Sequence, residues 1–342
     1  MTGCALLLVL AGGAALTLTN TAAFARPGRG TLLDGQWTDA YERRFEEGLA
    51  LRGPALAAWA WLRYGLFAEG SPGVLVGRDG WLFTAEEFQL RWDPASPARV
   101  DLATVRQGRD ELAARGVELV IALVPAKARV YPDRLGRYTL PRELAGRYHE
   151  LLNRLAGLGI PAPDLLGPLQ EGRGRGEVFL RTDTHWTPRG AELAAQALAG
   201  PVRLILAQAG SPRARFVSGD GTQREYRGDL LNFIPLGPLA KHFGPRPDSV
   251  VPRLTSRLDS EETGLFGSVD IPVVMAGTSY SRGELWNLEG ALKAAVAADV
   301  LNVAAEGQGA LQPLRALLAG PVLADVRAQV VIWEIPERYF SR

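Results

Sequence analysis

The chain has 342 residues, of which 47% are hydrophobic and 22% charged, and its 38 basic and 37 acidic side chains leave a net charge of +1. This balance is that of an ordinary globular protein with one large α/β domain or two small ones. The chain has neither a basic stripe nor an acidic tail, which argues against a nucleic-acid-binding surface and against a disordered charged arm.

The N-terminal segment departs from this average composition. Residues 1–25 carry no charged side chain and contain the apolar run LLLVLAGGAALTL, followed by Ala23-Phe24-Ala25, which fits a small-x-small cleavage site. The run is also just long enough for an uncleaved membrane anchor. We therefore predict that residues 1–25 are a signal peptide or membrane anchor and that residues 26–342 form a periplasmic domain. Cys4 is the only cysteine and precedes the run, so the exported domain has no disulfide.

The next part of the chain predicts helices, a hairpin and the first strands. Residues 34–69 carry apolar side chains at helical spacing, and VLVGRDGWLF (74–83) contains an Asp-Gly turn between two short strands. The run VELVIALV (117–124) is continuous, apolar and rich in β-branched residues, which is typical of a strand buried on both faces. Around it we predict helices at 102–115 and 141–158 and a weaker strand at 160–166.

The second half continues this alternation of strands and helices. Strands are predicted at 271–276, 299–305 and 329–335, and helices at 188–199, 284–298 and 310–319. Strands separated by helices of ten to fifteen residues indicate βαβ units and a parallel sheet covered on both faces. The stretch at about 205–268 is rich in Gly, Pro and Arg and lacks periodicity, so it is interpreted as a loop-rich insertion.

The segment VVMAGTSYSRGELWN (273–287) carries the first candidate for chemistry. Ligands of a parallel sheet bind outside the carboxyl ends of its strands, and Ser279 follows such a strand directly. The preceding glycine permits a tight turn, and the following backbone N–H groups can face a developing oxyanion. Ser279 is therefore a candidate nucleophile. The alternative is that Ser279 or Ser281 only caps a helix.

The segment RTDTHWTPRG (181–190) carries the second candidate. Thr187-Pro188 is a typical helix start, which places His185 in the loop before the helix. An aspartate two residues away, Asp183, can fix the tautomer of the His185 ring and leave Nε2 free to accept a proton. The alternative is that Asp183 shapes the loop and Trp186 packs in the core.

The histidine count restricts the other kinds of site. The chain has three histidines, and the other two, His149 and His242, are predicted to be an ordinary helix residue and a loop or helix-end residue. These residues do not supply the clustered ligands of a zinc site. A glycine-rich phosphate loop and a dinucleotide fingerprint are absent from the sequence as well. We therefore predict neither a metal nor a cofactor, and His185 is the one well-placed base for Ser279.

Four further residues are candidate substrate contacts. Lys127 follows the strand at 117–124, where it could bind an anionic substrate, although a solvated surface charge is the alternative. Tyr280, Arg282 and Trp286 flank Ser279, and aromatic rings beside a guanidinium suit a sugar-binding cleft. Core packing is the alternative for Trp286.

Taken together, these segments resemble a known family. The matching residues are VGRDGWLF (76–83), VPAKARVYP (124–132), RTDTHWTPRGA (181–191), GTSYS (277–281), WNLEGALK (286–293) and VVIWEIPERY (330–339). They resemble the SGNH-hydrolase-like O-acetyltransferases of exopolysaccharide biosynthesis, the alginate O-acetyltransferase AlgX/AlgJ family. The Asp-x-His-Trp block precedes the serine block here, as in the circularly permuted arrangement of that family. The chain ends three residues after WEIPERY, and we therefore expect it to lack the carbohydrate-binding module of the AlgX branch.

The resemblance implies a fold and a mechanism. The fold is a three-layer α/β/α sandwich with a mainly parallel, SGNH-hydrolase-like and circularly permuted sheet. Ser279 is implied as nucleophile, His185 as general base and Asp183 as its orienting partner, through an acetyl-serine intermediate. The implied partners are a polysaccharide acceptor, a membrane-bound O-acyltransferase as acetyl donor and an exopolysaccharide export complex, with no nucleic acid.

Two other functions remain open at this point. A polysaccharide acetylesterase would use the same triad, since water and a sugar hydroxyl can resolve the same acyl-enzyme. A non-catalytic polysaccharide-binding or assembly protein could share the fold.

Overall fold

The computed structural model of the protein describes residues 2–26, 35–90, 99–258 and 270–340. The chain divides into two compact units, the first comprising Met1–Ser71 with Asn232–Pro245 and the second Pro72–Leu231 with Arg246–Arg342. The helices are α1 (Thr2–Thr19), α2 (Gln36–Gly48), α3 (Arg52–Phe67), α4 (Leu102–Ala113), α5 (Lys127–Val130), α6 (Arg142–Ala145), α7 (Arg147–Gly157), α8 (Leu166–Gly172), α9 (Pro188–Gln208), α10 (Ala240–Phe243), α11 (Ser279–Arg282), α12 (Leu288–Val296), α13 (Leu311–Ala319) and α14 (Val322–Asp325). The strands are β1 (Val74–Val76), β2 (Leu82–Thr84), β3 (Glu118–Val124), β4 (Phe216–Asp220), β5 (Arg224–Tyr226), β6 (Asp248–Val250), β7 (Arg253–Arg257), β8 (Val273–Ala276), β9 (Val300–Asn302) and β10 (Val330–Pro336).

The first unit is helical. Its helices α2 and α3 fall in the stretch predicted to be helical from residue 34 onward, although residue 34 itself lies outside the described residues. α1 covers most of the predicted signal peptide or anchor. Across the described ranges, no helix has both the length and the apolar character needed to cross a membrane.

The second unit is built on a four-stranded sheet in the order β3-β10-β8-β9, with every neighbouring pair parallel. β8 and β10 are buried along their whole length, and β3 is exposed only at Glu118. Such burial on both faces explains why these strands are almost entirely apolar in the sequence, apart from Glu118 at the exposed start of β3 and Glu334 within β10. The predicted parallel sheet is confirmed, and so is the antiparallel hairpin β1-β2, in which Val76 pairs with Leu82.

Helices cover both faces of the sheet. On one face, α4 and α13 pack together, and the Trp333 indole of β10 donates a hydrogen bond to the Ala310 carbonyl, just before α13, at 2.8 Å. On the other face, α9 and α12 pack against each other and against the strands. The predicted three-layer α/β/α arrangement is therefore confirmed. α9 runs on past residue 199, the predicted end of its helix, to Gln208 and contains Pro201.

The predicted strand at 160–166 is wrong. This segment has no ladder, and its one backbone hydrogen bond to the sheet is donated by the N–H of Ile121 to the Pro161 carbonyl at 2.9 Å. Pro161 and Pro163 have no N–H to donate, so the segment cannot form the reciprocal bonds of an edge strand.

The stretch predicted as an insertion forms small ladders outside the main sheet. β4 pairs with β7 and β5 with β6, both antiparallel. Residues 259–269 of this stretch lie outside the described residues. Two aspartates from it, Asp229 and Asp248, contact the segment that carries His185.

Candidate active site

Ser279 lies just beyond the carboxyl end of β8, at the first residue of the short helix α11. Thr278 caps this helix, because its Oγ1 accepts a hydrogen bond from the Tyr280 N–H at 3.3 Å. The Ser279 Oγ lies 2.7 Å from His185 Nε2, although the two residues are 94 positions apart in the chain. The helix-cap role is thus filled by Thr278, which leaves the Ser279 hydroxyl to face the imidazole.

Asp183 fixes the orientation of the His185 ring. One carboxylate oxygen, Oδ1, lies 2.6 Å from His185 Nδ1 and also accepts the His185 backbone N–H at 2.8 Å. Because a carboxylate can only accept, the proton on the ring sits at Nδ1 and Nε2 faces the serine as an acceptor. Asp183, His185 and Ser279 thus form a continuous hydrogen-bonded chain.

Asp183 remains ionised although its side chain is fully buried. Burial by itself raises the pKa of this carboxyl. The hydrogen bonds and charge of His185, together with the Asp229 N–H, outweigh burial and hold the pKa well below its ordinary value. A negative charge is therefore fixed behind the imidazole, where it stabilises the imidazolium form.

Two aspartates from the predicted insertion hold the segment 181–184 in place. Asp248 accepts the N–H groups of Arg181 and Thr182 at 2.7 and 3.0 Å. Asp229 accepts the Thr184 N–H at 2.8 Å and its hydroxyl at 2.7 Å, and its own N–H donates to the second Asp183 oxygen at 2.8 Å. Sequence reasoning missed both residues, because each lies 45 or more positions from its partners.

The spacing of Asp183, His185 and Asp229 would also suit a metal ion, since one ligand atom from each lies within 4.8 Å of the others. Each of these side chains is already engaged with protein groups. Both Asp229 oxygens accept from Thr184, and the two His185 nitrogens face Asp183 and Ser279. The donor set therefore fits a proton-transfer site better than a cation site.

Tyr280 and Trp286 support the histidine. The Trp286 ring stacks on His185 with centroids 4.4 Å apart, and the Trp286 indole donates to the Tyr280 carbonyl at 2.7 Å. The Tyr280 hydroxyl donates to the Thr184 carbonyl at 2.8 Å, and burial raises the pKa of this hydroxyl. Both side chains are buried, a placement that does not fit the predicted contact with a sugar. Arg282 is exposed, and its contact with a substrate stays a prediction.

Lys127 is likewise not where a substrate could reach it, because the residue is 1% exposed. Its ammonium donates to the carbonyls of Leu82, Arg181 and Asp183 at 2.6, 3.1 and 2.9 Å. Burial lowers its pKa to about 8, against the opposing charges of Glu87, Asp248 and Asp183. Lys127 thus remains charged at pH 7 and joins the strand β2 to the segment that carries Asp183. The predicted anion-binding role does not fit these contacts.

Replacing Lys127 by methionine is expected to lower the free energy of unfolding by about 3 kcal/mol or more, because three buried carbonyls lose their donor. Urea denaturation at pH 7 measures this change. Lys293→Met is the matched control: Lys293 forms a half-exposed ion pair with Glu289, worth about 0.5 kcal/mol. Equal denaturation midpoints for the two variants would contradict this account of Lys127.

The Ser279 hydroxyl opens onto a cleft of about 610 Å³. Polar side chains of the cleft wall are Arg99, Gln308, Gln312, Arg315 and Tyr339. We did not predict these residues as substrate contacts from the sequence, although Tyr339 belongs to the matching segment VVIWEIPERY (330–339). The other two histidines, His149 and His242, are exposed, the first on α7 and the second on α10 of the first unit.

Comparison with known proteins gives consistent matches. A family model described as SGNH hydrolase-like domain, acetyltransferase AlgX, matches residues 74–337. Proteins named Probable alginate O-acetylase AlgJ from Pseudomonas putida and Pseudomonas aeruginosa are 41% and 40% identical to this chain, over 97% of it and 86% of each relative. The solved O-acetyltransferase domain of Pseudomonas putida AlgJ is 39% identical, with a TM-score of 0.68 over 78% of this chain and 92% of that domain.

Proposed function

The chain belongs to the family of SGNH hydrolase-like acetyltransferases that includes AlgX and AlgJ, and on this basis we propose that it O-acetylates alginate in the periplasm. The main structural support for this proposal is the series of hydrogen bonds from Asp183 through His185 to Ser279, at the edge of an open cleft. The names of the relatives support acetyl transfer and alginate as the acceptor.

The first half-reaction transfers acetyl from a donor ester to the enzyme. His185 Nε2 takes the proton of Ser279 as Oγ attacks the acetyl carbonyl carbon. The resulting imidazolium is stabilised by the Asp183 carboxylate. It then returns the proton to the leaving oxygen of the donor, whose bond to the acetyl carbon breaks. Acetyl-Ser279 is left on the enzyme.

The second half-reaction reverses these roles. A sugar hydroxyl gives its proton to His185 Nε2 and attacks the acetyl-Ser279 carbonyl, and Oγ leaves with that proton. In both halves, negative charge develops on the acetyl oxygen. The N–H groups of Tyr280, Ser281, Arg282 and Gly283 are used in bonds to Thr278 and Ser279 oxygens, so they do not serve as the expected oxyanion donors. We assign this role to the Ser279 N–H at the start of α11.

The cleft wall suits an acidic acceptor. Alginate is a polyuronate, and Arg99 and Arg315 line the same cleft as Ser279. A guanidinium group can bind a carboxylate through two parallel hydrogen bonds, in bidentate geometry. Gln308 and Gln312 add neutral donors for sugar hydroxyls.

We also propose a location and partners, on the basis of the N-terminal apolar segment and of the resemblance to the family. Residues 1–25 act as a signal peptide or membrane anchor, and residues 26–342 form the acetyltransferase domain. Acetyl groups outside the cytoplasm come from a membrane-bound O-acyltransferase, and the acceptor chain is delivered by an exopolysaccharide export complex.

The test offers the purified protein a chromogenic acetyl ester with and without mannuronate oligomers. Chromophore release and acetylated oligomers are measured together, the latter by mass spectrometry. We expect acetylated oligomers to accumulate as ester is consumed. Release of free acetate alone, at a rate unchanged by the oligomers, would identify an acetylesterase. An absence of turnover would identify a non-catalytic binding protein.

A further inference from the structure

Glu334 is a buried acid that the proposed reaction does not use. It lies on β10, which runs between β3 and β8 in the sheet, and it has no exposed surface. An isolated carboxylate in such a position would be strongly unfavourable, so its partners explain its presence. Those partners all belong to the segment that carries Ser279.

The contacts of Glu334 lie on both sides of Ser279. Its Oε2 accepts the Thr278 N–H at 2.7 Å, the Thr278 hydroxyl at 2.9 Å and the Ser281 hydroxyl at 3.1 Å. Thr278 precedes the serine and Ser281 follows it by two residues. One carboxylate thus fixes the segment at two points, with the candidate nucleophile between them.

Gly277 permits this close approach. A Cβ on Gly277 would lie 2.6 Å from Glu334 Oε2 and 2.7 Å from Glu334 Cβ, which is too close for any other residue. Gly277 is also not among the glycines with positive φ. The glycine of the Gly-Thr-Ser sequence is therefore required by the neighbouring Glu334 side chain and not by the tight turn predicted from the sequence.

The environment of Glu334 raises the pKa of its carboxyl above the ordinary value. Burial is the largest cause, and the hydrogen bonds from Thr278 and Ser281 and the charge of Arg338 offset it only in part. The donors around it are two hydroxyls and one N–H, all of which suit an acceptor.

We propose that Glu334 is the positioning residue of the nucleophile, holding the Ser279 hydroxyl within reach of His185 through Thr278 and Ser281. This inference rests on the proposed function only in taking Ser279 as the reactive group. A displacement of the serine by about 1 Å is enough to lower the rate by about 100-fold, because the attacking geometry is lost.

Two substitutions at Glu334 separate positioning from simple stability. Glu334→Leu removes every acceptor, whereas Glu334→Gln keeps the shape and one acceptor oxygen. The readout is the second-order rate constant for modification of Ser279 by phenylmethylsulfonyl fluoride, with kcat and KM for a chromogenic acetyl ester. In the leucine variant, we expect both the rate constant for modification of Ser279 and kcat to fall about 10- to 100-fold. In the glutamine variant, both should fall less than 10-fold, and KM should be unchanged in either variant.

One control variant and one double variant show whether the loss of rate comes from the contact of Glu334 with the serine segment. Glu118→Leu, at the exposed start of β3, is expected to keep wild-type rates. Ser281→Ala should lower the rate constant in the wild type and add little in the Glu334→Leu background, since the two side chains act on one contact. If Glu334→Leu does not fold, Ser281→Ala and Glu334→Gln still report the same contact.

The outcomes distinguish the two proposals. Wild-type rates in folded Glu334→Leu, or in both Ser281→Ala and Glu334→Gln, would overturn the positioning role. So would a wild-type Ser279 that does not react with the sulfonyl fluoride. A reactive, Glu334-dependent Ser279 without acetyl transfer to oligomers would overturn the proposed function alone.

Discussion

Replacing Ser279 by alanine is expected to lower kcat for a chromogenic acetyl ester by roughly four to six orders of magnitude. The variant keeps Asp183, His185 and the cleft but lacks the oxygen that forms the acyl-enzyme. Steady-state and burst kinetics measure the loss. The melting temperature should be unchanged, because the Ser279 side chain is partly exposed and caps no helix.

Ser211→Ala, three residues after the end of α9, serves as the matched control with wild-type kinetics. A Ser279→Ala variant that retains more than about a tenth of wild-type kcat would show that the acetyl group is transferred by another route.

Replacing Asp183 by asparagine is expected to lower kcat by about 10³- to 10⁴-fold. Asparagine has no charge to stabilise the His185 imidazolium. It also cannot accept from both His185 and the Asp229 N–H, because its amide nitrogen must face one of these donors. The unpaired donor costs about 1–3 kcal/mol of stability at pH 7.

The pH dependence gives an independent check on Asp183. Its pKa is lowered in the folded state from 3.8, so its contribution to stability is present above pH 3.8 and is lost as the pH falls below that value. Urea denaturation of wild type and Asp183→Asn should therefore differ most at neutral pH and converge in acid. Asp110→Asn, at an exposed residue of α4, is the control, and its free energy of unfolding is expected to stay close to that of the wild type. A constant difference between wild type and Asp183→Asn across this range would contradict the ionised state of Asp183.

Much of the sheet could be predicted because buried parallel strands have a simple pattern. Residues 117–124 and 329–335 are mostly apolar, and the structure places them side by side as β3 and β10. The strand predicted at 160–166 failed because its two prolines cannot donate ladder bonds, although its apolar residues fit the pattern. A run of apolar residues indicates that a segment is buried, whereas the pairing of strands requires backbone N–H groups that can donate hydrogen bonds.

The candidate triad residues could be chosen from the sequence because the chain has three histidines, one of which follows an aspartate by two residues, and because Ser279 directly follows a predicted strand. The supporting acids Asp229, Asp248 and Glu334 could not be chosen in this way. Each lies 45 to 67 positions from its partners in the sequence, and only folding brings them into contact. The contacts of Lys127 could not be predicted from the sequence either. A lysine after a strand is usually solvated, and only the structure reveals three carbonyls around it.

The most direct test of the account is the location of the acetyl group during turnover. The wild-type protein is mixed with a chromogenic acetyl ester, quenched in acid within the burst and digested, and the peptides are examined by tandem mass spectrometry. The account predicts one added acetyl group on Ser279, which disappears when mannuronate oligomers are added before the quench. Acetyl found on another residue, or turnover with Ser279 unmodified throughout the burst, would contradict it.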